Sequence, residues 1–255
     1  MTSDFNALGM ISPDKEPRAT ENIQIILDLI SRLIEGGYAY HEGGDVYFSV
    51  ESFPEYGKLS NQKMDEILSG ARIEIDEEKR NPADFVLWKK GDENLVWDSP
   101  WGKGRPGWHV ECSAMSMDAL GDTFDIHAGG SDLKFPHHEN EIAQSEAATG
   151  NNFAKYWMHT GPLRIDKEKM SKSLDNFLTI RDALKDYPYE VLRFFLLSSH
   201  YRSPINYSEE ALVESKAALE RLYTAIHDVD VSLTDELSRG SHTGQFKEAM
   251  DDDFN

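Results

Sequence analysis

The stretch FDIHAGGSDLKFPHHENEIAQ, residues 124–144, decides the predicted fold class of this chain. A predicted strand at 123–127 runs into Ala128-Gly129-Gly130, a helix follows from about Pro136, and a second strand is predicted at 156–159. Strand, glycine turn, helix and strand in this order are typical of a parallel βαβ unit, which binds ligands at the carboxyl ends of its strands. We therefore predict an α/β fold with a ligand site near these glycines.

The first third of the chain is predicted to form a helix and a hairpin. Apolar residues follow helical spacing from Ile23 to Ile34, with Thr20 as the N-cap and Gly36-Gly37 at the end. Residues 38–40 and 46–50, in which apolar residues occupy alternate positions, flank a glycine turn, as in a hairpin.

The rest of the chain is predicted to contain a polar helix near 62–68, a strand near 72–75, a long loop over 89–107, and helices over 180–186, 188–199 and 208–229.

Charge and cysteine content exclude several classes of protein. The 255 residues include 26 basic and 46 acidic side chains, a formal charge of −20, which argues against broad electrostatic binding to nucleic acid. The single cysteine, Cys112, allows no intramolecular disulfide and favours a reducing compartment. No apolar run approaches the roughly 20 residues that span a bilayer, and the N-terminus does not resemble a signal peptide. We expect a cytoplasmic protein without a membrane segment.

The spacing of polar residues after Pro136 indicates a metal site. If Pro136 lies in the first helical turn, His137 and Glu141 are four residues apart and share one face, whereas His138 points elsewhere. Imidazole and carboxylate are ordinary zinc ligands, and Cys112 would add a soft thiolate. The alternative is a capped, solvated helix start with acidic residues near its positive end.

The stretch KEKMSKSLDN, residues 167–176, contains three lysines and two serines. Their ammonium and hydroxyl groups could bind phosphate oxygens. On chemistry alone an exposed loop is the better explanation of the same residues.

The exact strings add a family resemblance. KMSKS, at 169–173, is the signature of class I aminoacyl-tRNA synthetases, and it follows GWHVEC (107–112), the 124–144 stretch and YWMHTG (156–161). The order and spacing of these blocks resemble the cysteinyl-tRNA synthetase family over almost the whole chain. The resemblance implies a partial Rossmann-like catalytic domain over 1–206 with an inserted connective region within 36–106. A helical stem-contact region and the start of an anticodon-binding domain would follow over 207–255.

The resemblance also implies the amino-acid site. The zinc ligands of the family fall on Cys112, His137 and Glu141. Zinc there would bind the substrate thiolate and reject the serine hydroxyl, so discrimination would need no editing. Three residues correspond to the surroundings of the substrate: Trp108, His109 and His138. A packing role for the tryptophan and structural roles for the histidines are the alternatives.

The implied nucleotide site comprises Gly129, Gly130 and Asp132, with Ala128 at a position where the family commonly has glycine. The implied catalytic residues are Lys169, Lys172 and His127, with Lys172 also on the ATP phosphates. ATP, accompanied by magnesium, would activate L-cysteine as the adenylate, and the cysteinyl group would pass to tRNA(Cys). Positioning and charge neutralisation should dominate such a reaction.

Two family features do not occur in the sequence: a HIGH string and a second cysteine. We therefore expect a fragment that lacks the N-terminal half of the ATP site and the C-terminal anticodon-binding region. Such a fragment should not activate cysteine alone, and it should bind zinc weakly through three protein ligands and water. The full-length protein is expected to be a monomer.

Two other functions stay open from the sequence. One is an ATP-dependent ligase that joins cysteine to an amino sugar in the synthesis of low-molecular-weight thiols, because such enzymes resemble this family in their zinc and KMSKS motifs. The other is a non-catalytic, synthetase-derived zinc-binding module. Binding of tRNA by so acidic a chain would require its basic residues, Arg164, Lys169, Lys172 and Arg202, to gather on one face.

Overall fold

The computed structural model describes residues 2–63, 78–91, 96–165, 168–169, 178–229 and 242–254. The chain divides into a larger unit, Pro13–His159, and a smaller unit, Met1–Ser12 with Thr160–Asn255. The boundary predicted at residue 206 separates the catalytic domain from the helical region by function rather than by compactness, and it stays a prediction. The helix predicted near 62–68 and the strand near 72–75 fall on residues 64–77 almost entirely, outside the described residues.

The elements follow in chain order. The helices are α1 Thr2–Ala7, α2 Ile23–Glu35, α3 Trp108–Leu120, α4 Glu139–Thr149, α5 Ile180–Asp186, α6 Tyr189–Leu197, α7 Glu209–Ile226 and α8 Thr243–Asp251. The strands are β1 Ala39–Glu42, β2 Asp45–Phe48, β3 Phe85–Lys90, β4 Gly104–Pro106, β5 Phe124–Gly130, β6 Ala154–Thr160, β7 Leu163–Ile165, β8 Glu168–Lys169 and β9 Ile205–Tyr207. Among the described residues, no helix is both long and apolar enough to cross a membrane.

Helix α2 forms where its apolar periodicity predicts, but its N-cap is Asn22 rather than Thr20. Residues 19–21 form a 3₁₀ turn in which the Asn22 amide donates to the Ala19 carbonyl, so the α-helix begins only after this turn. The predicted end at Gly36 is confirmed. The apolar face of α2 is buried, with Ile26, Ile30 and Leu33 fully inaccessible to solvent.

A four-stranded antiparallel sheet in the order β1-β2-β3-β4 packs against α2 and α3. The predicted hairpin is confirmed, with Glu42 opposite Asp45 across the glycine turn. The prediction of a loop over 89–107 is wrong at both ends. Lys89 and Lys90 complete β3, and Gly104–Pro106 pairs with it as β4. Proline is tolerated at 106 because β4 lies at the edge of this sheet. Glycine is required at 104, since an added Cβ would lie 2.4 Å from the Lys89 carbonyl oxygen.

The predicted βαβ unit is present as β5, α4 and β6. Strands β5 and β6 are hydrogen-bonded neighbours and begin side by side, because the Phe124 amide donates to the Phe153 carbonyl at 3.2 Å. The glycines that predicted a turn belong to the strand, since β5 continues to Gly130. Helix α4 begins at Glu139, three residues after the predicted start, because residues 134–138 form an irregular π-type turn with extended backbone at Phe135.

The smaller unit has its own sheet and core. Strand β7 pairs in parallel with β9 and antiparallel with β8. The helices predicted over 180–186, 188–199 and 208–229 are confirmed as α5, α6 and α7, the last two ending two or three residues earlier than predicted. Thr179 and Ser208 cap α5 and α7 through side-chain oxygens. The core of this unit comprises Leu8, Ala183, Leu192, Phe195 and Leu212.

Truncation of Leu87 tests the core of the larger unit. Leu87 is fully buried between the sheet and α2, so Leu87→Ala should lower the free energy of unfolding by about 2–5 kcal/mol. The control is Leu120→Ala, since this side chain is 60% exposed. All five tryptophans lie in this unit, so urea unfolding followed by tryptophan fluorescence reports on it directly. Equal midpoints for the two variants would contradict this assignment of the core.

Candidate functional site

A cleft of about 770 Å³ opens in the larger unit. The first turns of α3, strand β5, the irregular turn at 134–138 and the start of α4 all contribute side chains to it. Its lining includes Trp108, Cys112, His127, His137, His138 and Glu141, together with the polar residues Asp14, Lys15 and Ser116. The first six are residues that the sequence predicts for the site, and they come from three separate segments of the chain.

The three predicted metal ligands converge. One ligand atom each from Cys112, His137 and Glu141 lie within 4.8 Å of one another. A second set, His127, His138 and Glu141, satisfies the same limit. Glu141 therefore lies at the centre of both groups.

The Glu141 carboxylate is buried, with 1% of its area exposed. Its Oε1 lies 2.7 Å from His137 Nε2 and its Oε2 lies 3.0 Å from His127 Nε2. Despite these short distances, neither oxygen has a hydrogen-bond partner of good geometry in the part of the chain that the structure describes. Burial alone would raise the pKa of Glu141, but the two imidazoles outweigh it and hold the pKa at about 2. The group is an anion at neutral pH, and its oxygens are available to a cation.

The ring of His137 is fixed by its neighbours. Its Nδ1 lies 2.6 Å from Nδ1 of His109, and its ring centroid is 4.2 Å from that of Trp108. One of the two Nδ1 atoms must donate and the other accept. Burial, and then the nearby His137, lower the pKa of His109 to about 4, so His109 is neutral at physiological pH. Trp108 is 59% exposed, which excludes the alternative of a core tryptophan.

Cys112 lies one helical turn after Trp108 on α3 and carries a free, half-buried thiol. Burial, followed by the negative charges of Glu141 and Glu111, raises the pKa of this thiol to about 12. The thiol is therefore protonated at neutral pH unless a cation lies beside it.

The prediction that His138 points away from Glu141 is wrong. It assumed an α-helical turn at Pro136, whereas the π-type turn at 134–138 buries both His137 and His138. His138 Nδ1 lies 2.9 Å from Nε2 of His159. Burial is the main reason that the pKa of His138 falls to about 4.

Two residues of this site were missed in the sequence. Trp157 and His159 alternate along β6, and their ring centroids lie 5.2 Å and 5.0 Å from that of His138. Trp157 also packs edge-on against His127, with 4.8 Å between centroids. The two-residue spacing of Trp157 and His159 in YWMHTG was the available signal, because alternate strand residues share a face.

The predicted nucleotide residues lie at the end of β5. Gly129 packs so closely on His138 that an added Cβ would come within 2.8 Å of the imidazole. Asp132 lies in the short 3₁₀ turn that follows, beside Gly130. Packing within the protein therefore already requires a glycine at 129, whatever binds there.

The predicted catalytic lysines belong to the smaller unit. The structure describes the backbone of Lys169, which pairs with Arg164 across β7 and β8. Lys172 falls outside the described residues. Of the predicted tRNA-facing residues, Arg202 is paired with Asp253 at 2.7 Å.

The metal-free chain should lose stability toward both pH extremes. His109 has a pKa near 4 when folded and 6.5 when unfolded, so the unfolded state binds more protons between these values and stability falls as the pH drops from 6.5 to 4. The loss of unfolding free energy that His109 causes over this interval is on the order of 3 kcal/mol. The Cys112 thiol has its pKa raised from 9 to about 12, so stability also falls as the pH rises above 9.

Chemical unfolding across this pH range measures both slopes. His109→Gln should reduce the acid slope but not abolish it, because the pKa of His138 is also lowered to about 4, and it should leave the alkaline side unchanged. The exposed His41, on β1 of the same unit, supplies the control His41→Ala, which should change neither slope. Identical acid slopes for the wild type and His109→Gln would refute the assignment.

Comparison with known proteins places the chain among synthetases. It is 62% identical over 261 aligned positions to the cysteine–tRNA ligase of Hahella chejuensis, covering 100% of the chain and 56% of the relative. It is 59% identical over 257 positions to the cysteine–tRNA ligase of Halorhodospira halophila, covering 100% of the chain and 55% of the relative. The chain thus spans about half the length of the curated relatives it matches.

Solved structures share the fold. Methionyl-tRNA synthetase of Mycobacterium tuberculosis, in complex with methionyl-adenylate, matches with a TM-score of 0.60 at 17% identity, covering 89% of this chain and 54% of that one. A putative arginyl-tRNA synthetase of Campylobacter jejuni matches with a TM-score of 0.53 at 12% identity, covering 99% and 51%. These matches confirm the predicted α/β class. Residues 1–217 match the family described as tRNA synthetases class I (C) catalytic domain, and the chain belongs to that family.

Proposed function

We propose that this chain carries the amino-acid recognition site of a cysteine–tRNA ligase, with zinc held by Cys112, His137 and Glu141. The observation that carries the proposal is the buried Glu141 carboxylate, whose two oxygens lack hydrogen-bond partners of good geometry among the described residues. A buried anion is costly unless positive charge lies beside it.

Two sources of that charge fit the position of Glu141, namely protonated imidazoles and a metal ion. The imidazoles of His127 and His137 lie 3.0 Å and 2.7 Å from the two carboxylate oxygens, so they are the source of charge that needs no metal. They would not explain why the Cys112 thiol approaches the same point. A set of one sulfur, one nitrogen and one carboxylate oxygen suits zinc better than magnesium or calcium.

The tautomer of His137 supports the same assignment. If His137 donates from Nδ1 to His109, its Nε2 presents a lone pair toward Glu141 Oε1, 2.7 Å away. Two electron-rich atoms in such contact are compatible with a shared cation. Bound zinc would act as a Lewis acid that prefers a cysteine thiolate to a serine hydroxyl.

The surrounding residues have positioning roles in this proposal. Trp108 forms a wall of the cleft beside His137, and His109 fixes the orientation of the His137 ring. His138 is held by His159 and is neutral at pH 7, so it can donate a hydrogen bond to a substrate without adding charge.

We further propose that ATP, with magnesium, binds at the carboxyl end of β5 through Gly129, Gly130 and Asp132. His127, on the same strand, would contact the reacting groups. Lys169 and Lys172 would neutralise phosphate charge, because activation depends on positioning and charge rather than on proton transfer.

The partner in the second step is proposed to be tRNA(Cys), with residues 207–255 leading into a helical region for its recognition. Identity of 56–62% to proteins named cysteine–tRNA ligase favours this over a cysteine ligase of thiol synthesis or a non-catalytic module. The free thiol of Cys112 is compatible with a cytoplasmic location. The monomeric state of a full-length protein stays a prediction.

Cobalt substitution tests the metal site directly. Titration of the metal-free chain with Co²⁺ should produce a thiolate-to-cobalt charge-transfer band and intense ligand-field bands typical of a four-coordinate site. Cys112→Ser should abolish the charge-transfer band, and Glu141→Gln should weaken affinity by more than the roughly 10–100-fold typical of residues that only orient a ligand. His41→Ala, on the surface of the same unit, is the control and should leave the titration unchanged.

Addition of amino acids to the cobalt-loaded chain tests recognition. L-cysteine should shift and intensify the charge-transfer band as a second sulfur binds, whereas L-serine at the same concentration should not. A band that is absent in the wild type, or that persists in Cys112→Ser, would refute the proposed metal site.

A further inference from the structure

A loop from the inserted region contacts the start of α4 at a buried carboxylate. Glu139 has no exposed area. Its Oε1 accepts hydrogen bonds from the backbone amides of Gly57 at 3.0 Å and Leu59 at 3.3 Å, and its Oε2 accepts one from Ser60 at 2.8 Å. Three amides from a segment about 80 residues distant thus converge on one side chain. We call residues 56–60 the clamp loop.

Tyr56 extends this contact to residues 134–141, which we call the metal-binding turn. Its hydroxyl donates to Asn140 Oδ1 at 2.5 Å, next to Glu141 in the sequence. Its ring packs edge-on against Phe135, with 6.4 Å between centroids, and Phe135 lies two residues before His137. The clamp loop therefore touches the chain before His137 and between His137 and Glu141.

The clamp loop also contacts His137 indirectly, through Phe85 and His109. The ring of Tyr56 stacks on Phe85, with 6.4 Å between centroids, and Phe85 packs edge-on against His109 at 5.9 Å. His109 in turn is bonded to His137 through the Nδ1 contact. The position of the His137 ring thus depends on this loop through His109 as well as through the backbone.

The shape of the clamp loop is specified by Gly57. This residue has φ of +96°, and an added Cβ would lie 2.1 Å from the Gln62 carbonyl oxygen. Such a conformation is costly for any other residue, and it turns the Gly57 amide toward Glu139.

Burial of two acidic side chains in one helical turn is costly unless each has a partner. Glu139 obtains its partners from the clamp loop, whereas Glu141 has the metal-binding groups. A hydrophobic residue at 139 would pack the helix at lower cost, but it would not fix the loop.

We propose that the clamp loop holds the metal-binding turn in place, with Glu139 and Tyr56 as positioning residues that set the distance between His137 and Glu141. This inference rests on the proposed function for its metal, but its contacts exist in the metal-free chain. Partners that orient metal ligands typically contribute 10–100-fold to metal affinity.

The test compares two variants with a matched control in the full 255-residue chain. Glu139→Gln replaces one carboxylate oxygen by a group that cannot accept from the loop amides, and Tyr56→Phe removes only the hydroxyl bond to Asn140. Glu55→Gln is the control, because Glu55 is exposed, lies just outside the clamp loop and bonds to the Lys58 side chain, which keeps its second partner, Glu146 on α4, in the variant. Co²⁺ affinity is measured by chelator competition, and the ligand-field spectrum is recorded at saturation.

We expect affinity to fall about tenfold in Glu139→Gln and about threefold in Tyr56→Phe, with a shifted ligand-field spectrum in both, and no change in the control. A purely structural role would lower the melting temperature without changing the spectrum of the saturated site. Affinities within twofold of the wild type, with unchanged spectra, would overturn the proposal.

Measurements on the metal-free chain test the clamp loop independently of the proposed metal site. Imidazole ¹⁵N shifts of His109 and His137 report their contact without a metal. If the wild type binds no Co²⁺ through Cys112, the metal proposal fails. The clamp is still supported if Glu139→Gln changes these shifts while Glu55→Gln does not, and it is overturned if neither variant changes them.

Discussion

Glu141 is a buried carboxylate that has no hydrogen bond of good geometry among the described residues, and its charge must be compensated within the larger unit. Its two oxygens contact two different imidazoles, on β5 and on the turn before α4. The thiol of Cys112 approaches from α3. The relative placement of a strand, a turn and two helices is thus tied to one side chain.

This arrangement requires polar side chains to be buried along α4, which costs free energy. Its first seven residues, Glu139–Ser145, are all buried, although five of them are polar. Ala143 joins the apolar core, while Glu139 bonds to the clamp loop and Gln144 accepts from Ser113 on α3. A helix selected for stability alone would bury leucine at such positions. This polar helix start is understandable if α4 serves to present Glu141.

The sequence predicted those parts of the site that depend on local periodicity. His137 and Glu141 meet because a four-residue separation spans one helical turn, and the strands of the βαβ unit lie where their apolar runs indicate. His138 was misplaced because the turn at 134–138 departs from α-helical geometry, which residue spacing does not reveal. The bonds between Glu139 and the clamp loop join residues about 80 positions apart, so no local pattern could indicate them.

The measurement that tests the account most directly is zinc X-ray absorption on the zinc-loaded chain. Ligation by Cys112, His137 and Glu141 predicts one sulfur at about 2.3 Å, with nitrogen and oxygen neighbours at about 2.0–2.2 Å. The single nitrogen neighbour should show the outer-shell scattering of the His137 imidazole. A zinc shell without sulfur, or a chain that retains no zinc, would contradict the account.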